Sequence, residues 1–592
     1  MNEIRRTFDI LRYNEKHQPL EKALSIKRNG QWESFSTQQY REKVDYISYA
    51  LLQMGFQKGD KIATVINNSP EWNFIDFGMS QLGIVHVGIY PTISEKEYLH
   101  ILGHSGAKIL IVSNKDLYDK LIPVYDQVDS LTEIYSIEKV DGVKSLEDLL
   151  QIGQKNQEAL KDQLQERMDT VEPDDLLTLI YTSGTTGLSK GVMLTHNNVV
   201  SNVKLGFEFT YYLTPGERAF SFLPMSHVLE RSGNYLWQAK GLGVYYAGSI
   251  ESVVPDMKEA KPHVFISVPR IFEKIYDKII NTGREQSFIK KNIFFWAVKL
   301  ADEYDADPSK RSWYYNFRHK IADKLIFSKW RDALGGCLKG SVSGGAALQP
   351  RLARAFWAAN IRVQEGYGLT ETSPITTANG HEFPKVRFGA VGYVNTSVQV
   401  KIAEDGEILI KGENVMKGYY KDEEKTKEVL KDGWFHSGDI GKIEDGFLFI
   451  TDRKKEIFKL SGGKYVAPQV IENILKESSF IEQVMVVGEN ERFTAALIVP
   501  DFVFLHKWSE LHAVTFKNDK ELIENETVIA RYQKEVEQFN EQLGHISKVK
   551  EFRLVCESWT PESGDLSPTL KLKRRSLLNK YEQKIKDIYK NS

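Results

Sequence analysis

The stretch YTSGTTGLSKG (residues 181–191) gathers small and hydroxyl-bearing residues directly behind the apolar run LLTLI (176–180). Backbone N–H groups that all point one way bind a phosphate well, and glycine lets the backbone approach it closely. Hydroxyls add donors, and a lysine adds a movable positive charge. Thr182, Ser183, Gly184, Thr185, Thr186, Gly187 and Lys190 supply all three. The pattern is not a Walker loop, which requires GxxxxGK[ST], because Gly191 follows Lys190. A flexible Gly/Ser/Thr linker is the competing reading. A linker seldom sits between LLTLI and the equally apolar, orderly GVMLTHNNVV, so the stretch reads as a loop for nucleotide phosphates.

A loop of this kind needs a strand to hold it. From about Asp60 the chain alternates apolar runs with amphipathic stretches; KIATVINNS, GIVHVGIYPT and AKILIVSN each read as a strand ending in turn residues, with helix-like sequence between them. Strands alternating with helices imply a mostly parallel, layered α/β sheet, whose ligands bind at the carboxyl ends of the strands. After about Trp434 the texture changes to hairpin-like alternation, turn glycines and a dense charge cluster, followed by a helical stretch and the strands EQVMVVGEN and TAALIVPD. The expected fold class is therefore α/β. Residues 1–451 form a large N-terminal domain of layered mixed and parallel sheets and helices, and residues 452–592 a small mobile C-terminal α+β domain.

The bulk properties agree. A chain of 592 residues is too long for one ordinary core. Its 41% hydrophobic and 27% charged residues are those of a globular protein, and a net charge of -2 provides no global attraction to nucleic acid or an acidic membrane surface. Cys337 and Cys556 lie far apart with no metal-ligand spacing, so a disulfide framework or zinc site is not expected and a reducing cytosolic location is. The first residues carry scattered charges and lack an apolar signal-peptide core. No window approaches the roughly 20 apolar residues needed to span a bilayer, so any membrane contact is expected at the surface.

Five further segments follow in order: LPMSHVLER (223–231), SVSGGAAL (341–348), QEGYGLTET (364–372), WFHSGDIG with TDRKKEIFKLSGGKYVAP (434–441, 451–468) and SPTLKLKRR (567–575). Together with the phosphate loop, they resemble the AMP-forming adenylating enzymes, which include acyl-CoA synthetases, luciferases and the adenylation domains of peptide synthetases. The resemblance runs from about residue 10 to near residue 592. LPMSHVLER, FKLSGGKYVAP and SPTLKLKRR are most similar to long-chain fatty acyl-CoA synthetases, and the Ser/Thr-Gly-Lys tail of short-chain relatives is absent.

The resemblance implies ATP and Mg2+ as cofactors and coenzyme A as co-substrate. A carboxylate attacks the α-phosphate of ATP to give acyl-adenylate and pyrophosphate; a thiol then takes the acyl group and AMP leaves. It assigns the phosphate loop to the β- and γ-phosphates, Glu371 to magnesium with the Thr182 hydroxyl as second contact, and Tyr367 to stacking on adenine. Gly344, Gly345 and Ala346 are implied as the wall opposite, and Glu365, Gly366, Gly368 and Thr370 as further adenine and ribose neighbours. Asp439 is implied to take both ribose hydroxyls, with Arg453 reaching the same sugar. Lys571 aligns with the mobile lysine that bridges carboxylate and α-phosphate, with Lys573 as the alternative register. Asp452 is the expected hinge. Rotation about it would withdraw the lysine and bring Ser461, Gly462 and Gly463 to line the coenzyme A tunnel. His227 falls near the acyl carboxylate, where it orients rather than transfers protons, or serves only as a structural histidine. Taken as isolated sequence, SGGA and GD read as turns, an acid such as Glu371 as a helix-start residue, and a basic tail as a solvated face.

Between about 276 and 335 the chain resembles the helical insertion of long-chain enzymes. FIKKNIFFWAVKLADEY and SKRSWYYNFRHKIADKLIFSKW alternate aromatic and basic residues at helical spacing. One reading packs these helices on the body to cover the acyl tunnel, with the bases solvated. The other makes residues 284–331 an interfacial face on the inner side of the membrane, since Trp, Phe and Lys suit such faces. No nucleic-acid motif accompanies the segment.

Three functions compete. The first is an AMP-forming long-chain fatty acid–CoA ligase. The second keeps the adenylation but passes the acyl group to a carrier protein, performs a luciferase-type oxidation or acts on medium-chain acids; no fused carrier is expected with residue 592 so soon after the tail. The third is a binding protein without catalysis, against which the presence of Glu371, Asp439 and the tail lysine argues. Chain-length preference and oligomeric state are not legible at this stage.

Overall fold

The computed structural model describes residues 3–182, 189–249, 252–394, 396–560, 563–567 and 571–590. Two eight-stranded sheets form most of the large domain. In the first, Leu176–Thr182, Val85–Gly88, Lys61–Val65, Ile109–Val112, Glu133–Ser136 and Lys144–Ser145 run parallel, and Lys190–Thr195 returns antiparallel beside Leu176–Thr182. All three strands read from the sequence after Asp60 are present here. Val85–Gly88 and Ile109–Val112 are buried at every position, as strands covered on both faces must be. In the second sheet Val363–Gly368, Gly340–Ser343, Val264–Ser267, Arg218–Ser221, Gly243–Tyr246 and Leu24–Arg28 are parallel, flanked by two antiparallel edge strands.

Two helices lie between the sheets and are apolar enough to be buried almost all round. Every residue of Pro70–Gln81 and eleven of the twelve in Val228–Ala239 are buried. Their polar residues therefore must find partners inside the protein. Asp76 accepts from His86 of the first sheet at 2.6 Å, while Asn73 and Asn234 donate to Tyr246 of the second at 2.6 and 2.9 Å. Arg231, the last residue of LPMSHVLER, donates to Asp76 at 2.5 Å and to Thr178 at 2.6 Å. This network locks the two sheets in one relative position, which fixes the ends of the strands that bear the site.

A five-stranded antiparallel sheet follows. Its hairpin Trp434–Glu444 and Phe447–Arg453 pairs with Glu407–Lys411, so it belongs with the large domain. The change of texture after Trp434 thus precedes the domain boundary instead of marking it: a third sheet of exposed hairpins has the same alternation as a small α+β domain. Beyond Arg453 come a short hairpin and the three-stranded sheet Ile481–Val487, Thr494–Pro500 and Val549–Leu554 with its helices, forming separate apolar clusters.

The 276–335 region is helical, with Pro269–Arg284, Phe288–Asp302 and Trp313–Ala322 inserted between Val264–Ser267 and Gly340–Ser343. Phe294, Ala297, Leu300 and Ala301 turn one face of the second helix into a core shared with Phe272, Phe356 and Trp357.

Candidate active site

The predicted residues converge where the carboxyl ends of the second sheet's strands face the small domain. One cavity of about 270 Å³ is lined by Thr182, His227, Gly344, Gly345, Gly366, Tyr367, Gly368, Thr370, Glu371, Arg453 and Lys571, among others. A larger cleft of about 900 Å³ opens between the domains beside it. Glu97, Ser189, Arg453, Ser567 and Lys571 border both spaces and form their common lip.

Tyr367, at the end of Val363–Gly368, donates its hydroxyl to Asp439 Oδ2 at 2.7 Å. Arg453 Nε lies 3.3 Å from Asp439 Oδ1. Asp439 and Arg453 face each other because they are cross-strand partners in the hairpin. Three residues from three motifs thus meet at one carboxylate. Gly368 is required where it stands, since a Cβ there would fall 1.6 Å from the Pro374 carbonyl oxygen. Gly345 has φ +81°, the left-handed region that favours glycine. Glu371 accepts from the Tyr419 hydroxyl at 2.8 Å and sits in a single 3-10 turn, not at a helix start. Thr182 and Lys190 are paired across the strands that flank the phosphate loop, and Lys190 lies 5.3 Å from the Tyr419 ring. Ser183, Gly184, Thr185, Thr186 and Gly187 fall outside the described residues.

Lys571 reaches the lip from the tail. Burial and the Arg453 guanidinium push its amine down to about 8, against the opposing pull of Asp439, Glu371 and Glu456. Lys573, the alternative register, is instead 3.3 Å from Glu97 of the large domain. Lys571 thus lines both spaces, whereas Lys573 borders the larger cleft alone. His227 caps the Val228–Ala239 helix: its Nδ1 accepts the Leu229 N–H at 3.1 Å. That leaves the ring's proton on Nε2, and burial together with Lys571 lowers its pKa to about 3. The ring is neutral and caps the helix, the structural reading, and it also lines the cavity.

Some expectations shift. Glu365 lines neither space. Its carboxyl is buried, raised to about 8, and accepts the Leu348 N–H at 2.9 Å. It braces the SGGAAL turn from behind because burial without a cationic partner favours the neutral acid. Ala346 is exposed and borders only the larger cleft. Ser461, Gly462 and Gly463 are exposed at the tip of the hairpin Phe458–Lys459 and Tyr465–Val466 and line neither space. Asp452 is buried at the end of Phe447–Arg453 with Oδ2 unpartnered, and burial raises its carboxyl to about 6. No residue between 276 and 335 lines the smaller cavity, so the insertion does not cover it. The apolar arm is built from Gly206, Gly233, Leu236, Trp237 and Ile266, which are scattered over three elements and carry no motif. Glu97 was also missed, although the Ser94–Glu97 capping box that places it is readable in SEKE.

The AMP-binding enzyme family matches residues 11–420, and the AMP-binding enzyme C-terminal domain matches residues 455–592. The chain belongs to the AMP-binding enzymes. This AMP-binding enzyme is 33% identical over 566 residues to the long-chain-fatty-acid–CoA ligase FadD15 of Mycobacterium bovis, covering 95% of this chain and 93% of that one. It is 33% identical over 625 residues to fatty acyl-CoA synthetase A of Dictyostelium discoideum, covering 98% and 90%. Its fold is shared with the adenylation domain of a carboxylate reductase from Mycobacterium chelonae, at a TM-score of 0.75 and 21% identity over 99% of this chain and 91% of that one. The shared fold bears out the α/β class, with a large N-terminal and a smaller C-terminal domain.

Proposed function

We propose that this AMP-binding enzyme is an AMP-forming long-chain fatty acid–CoA ligase. The observation that supports it most is the position of Lys571, at the lip between the larger cleft and a cavity that combines a polar cradle with an apolar arm. Adenylation brings a carboxylate towards a polyanion, so the protein's task is charge neutralisation and alignment. The fatty acid's carboxylate oxygen attacks the α-phosphorus, the bond to the β-phosphate breaks, and pyrophosphate leaves. Lys571 bridges the two anions, Asp439 and Arg453 hold the ribose, and Tyr367 stacks on the base against Gly344 and Gly345. In the second half the thiol sulfur of coenzyme A attacks the acyl carbon and AMP departs. That step needs Lys571 out of the way, which is the role we give to rotation near Asp452, with Ser461, Gly462 and Gly463 turned towards the site.

Magnesium fits this site as a companion of the nucleotide. Glu371 and Thr182 line one cavity, and Mg2+ takes one or two carboxylates plus phosphate oxygens and water. Bound there, it would neutralise phosphate charge.

A second reading concerns where the enzyme works. No helix among the described residues is long and apolar enough to cross a membrane. Yet among the described residues eight of the eighteen exposed large hydrophobic side chains lie between 288 and 325. Trp313, Phe317, Ile321 and Leu325 recur every fourth residue along one stripe, with the exposed Lys320 and Lys324 beside it. This supports a cytoplasmic enzyme that rests on an anionic membrane surface, where its acids are dissolved. Flotation with anionic vesicles tests it: wild type should float, and a chain without the stripe's aromatics should not.

Pyrophosphate release, measured across saturated acids of increasing length with and without coenzyme A, tests the main reading. Release that needs a long acid, with AMP turnover that needs coenzyme A, supports it. Release that coenzyme A does not accelerate would put a carrier protein in its place.

A further inference from the structure

Three of the tail's four cations, all but the exposed Arg575, leave it in different directions. Lys571 enters the lip. Arg574 turns back to its own domain, with Nε 3.0 Å from Glu456 and a terminal nitrogen 2.6 Å from Glu472. Lys573 crosses the interface to Glu97 Oε1 at 3.3 Å. Of these ion pairs, the last joins the tail to the large domain.

Glu97 is placed to act as a fixed anchor. Its Oε2 accepts the Ser94 N–H at 3.3 Å and the Ser94 hydroxyl at 3.1 Å, closing the capping box of the Glu95–Ser105 helix. One turn on, His100 Nε2 donates to the Ser189 carbonyl at 2.8 Å, so the same helix face touches the strand end that closes the phosphate loop. On the tail side the geometry between the two lysines is also held. Ser567 N–H donates to the Lys571 carbonyl at 2.7 Å, Lys571 N–H donates to the Ser567 hydroxyl at 3.1 Å, and Lys573 N–H donates to the Asp565 carbonyl at 2.9 Å. A bracket this short transmits the position of residue 573 to residue 571.

We propose that Glu97 is a positioning residue for the first half-reaction: by gripping Lys573 it holds Lys571 at the lip, and the grip must open when the small domain turns for the second. The inference rests on the reading of Lys571 given above. A pair that is about one-quarter exposed on each side supports an effect of about two- to five-fold, not a catalytic one. Such a latch also favours its own release, since a stronger one would trap the enzyme before acyl transfer.

The test compares Glu97→Gln, Lys573→Gln and Lys573→Arg in the full chain. ATP–pyrophosphate exchange reports the first half-reaction, and thioester formation from supplied acyl-adenylate reports the second. Both glutamine variants should lose about two- to five-fold in exchange and keep or gain rate in acyl transfer, whereas Lys573→Arg should hold the wild-type split. Raising the salt should narrow the gap between wild type and Glu97→Gln. Equal losses in both half-reactions would make the pair merely structural, and no loss in exchange would make it ornamental to adenylation; either result overturns the latch. A loss of about 100-fold in Lys573→Gln would make Lys573 itself the bridging lysine and overturn it too. Wild-type protein that exchanges with no acid would instead sink the functional reading, and the latch with it.

Discussion

The tail at 571–575 and the insertion at 284–331 look alike in composition, yet the tail's paired cations reach distant carboxylates and the insertion's reach only local ones. In the tail each of three cations has its own address: Lys571 the lip, Lys573 Glu97, and Arg574 Glu456 with Glu472. In the insertion Lys310 and Arg331 pair locally with Asp305 and Asp323, while the exposed Lys320 and Lys324 flank exposed aromatics, with Trp313 at 80% exposure. Arg318 lies over both Trp296 and Tyr314, at 5.7 and 5.5 Å, and has no carboxylate of its own in the ion pairs observed. A basic run therefore says little until its counter-charges are located. Where carboxylates converge, each cation has its own partner; where apolar rings surround them, as at Lys320 and Lys324, we propose that the cations act as one patch.

The largest effect should come from the tail. Lys571→Ala is expected to lower ATP–pyrophosphate exchange by roughly 100-fold or more while leaving transfer from supplied acyl-adenylate within a few-fold, because only the first half needs two anions bridged. If both halves fall together, Lys571 is not an individually addressed cation and the contrast with the insertion fails. Close behind stands Asp452→Pro. Proline locks φ at the strand end, so acyl transfer should drop by roughly 10-fold or more with exchange retained, as expected when a domain rotation separates the steps.

Lys571 also sets a pH dependence. Its charged form bridges the anions, and its amine is lowered to about 8. The kcat/KM for adenylation should fall as pH rises through about 8, since that parameter reports the free enzyme. With both anions bound the limb should move to higher pH in kcat, because opposite charges favour the ammonium. His227, held near 3, should add no limb between 5 and 8. An alkaline limb that survives in Lys571→Arg would belong to another group. Vesicle binding, by contrast, should show no limb near 8.

The legible and illegible parts of the molecule divide along similar lines. Tyr367, Glu371, Asp439, Arg453 and Lys571 each sit in a short local motif at a strand end or turn; four of them line one cavity, and Asp439 stands behind it, holding the Tyr367 hydroxyl. Glu365 belongs to the same motif but faces the Leu348 N–H, because adjacency in sequence does not fix which side of a strand end a carboxyl takes. The apolar arm was illegible for a different reason: Gly206, Leu236 and Ile266 come from separate elements and meet only through the packing of helices against the second sheet. The change of texture at Trp434 comes before the expected boundary at 452 because a third antiparallel sheet and a small domain produce the same alternation. Helical spacing located the insertion, but nothing in spacing tells whether a helix covers a cavity or the flank of its sheet.

Removal of one of the stripe's aromatics should be intermediate in size. Replacing Trp313 alone with Ser is expected to weaken anionic-vesicle partitioning by roughly 10-fold, since a buried ring contributes about 1.5–3 kcal/mol, and to leave exchange in solution unchanged.

The smallest effect isolates the charges. Lys320→Gln and Lys324→Gln should each cost about 1 kcal/mol of binding to anionic vesicles, or roughly five-fold, and nothing on zwitterionic ones. The two should be interchangeable and roughly additive, because a patch is read by its summed field and not by the identity of any member. In the tail, Lys571→Gln and Lys573→Gln should be neither. If one insertion lysine alone accounts for the vesicle effect, it too has an address, and the distinction between the two basic runs becomes one of degree.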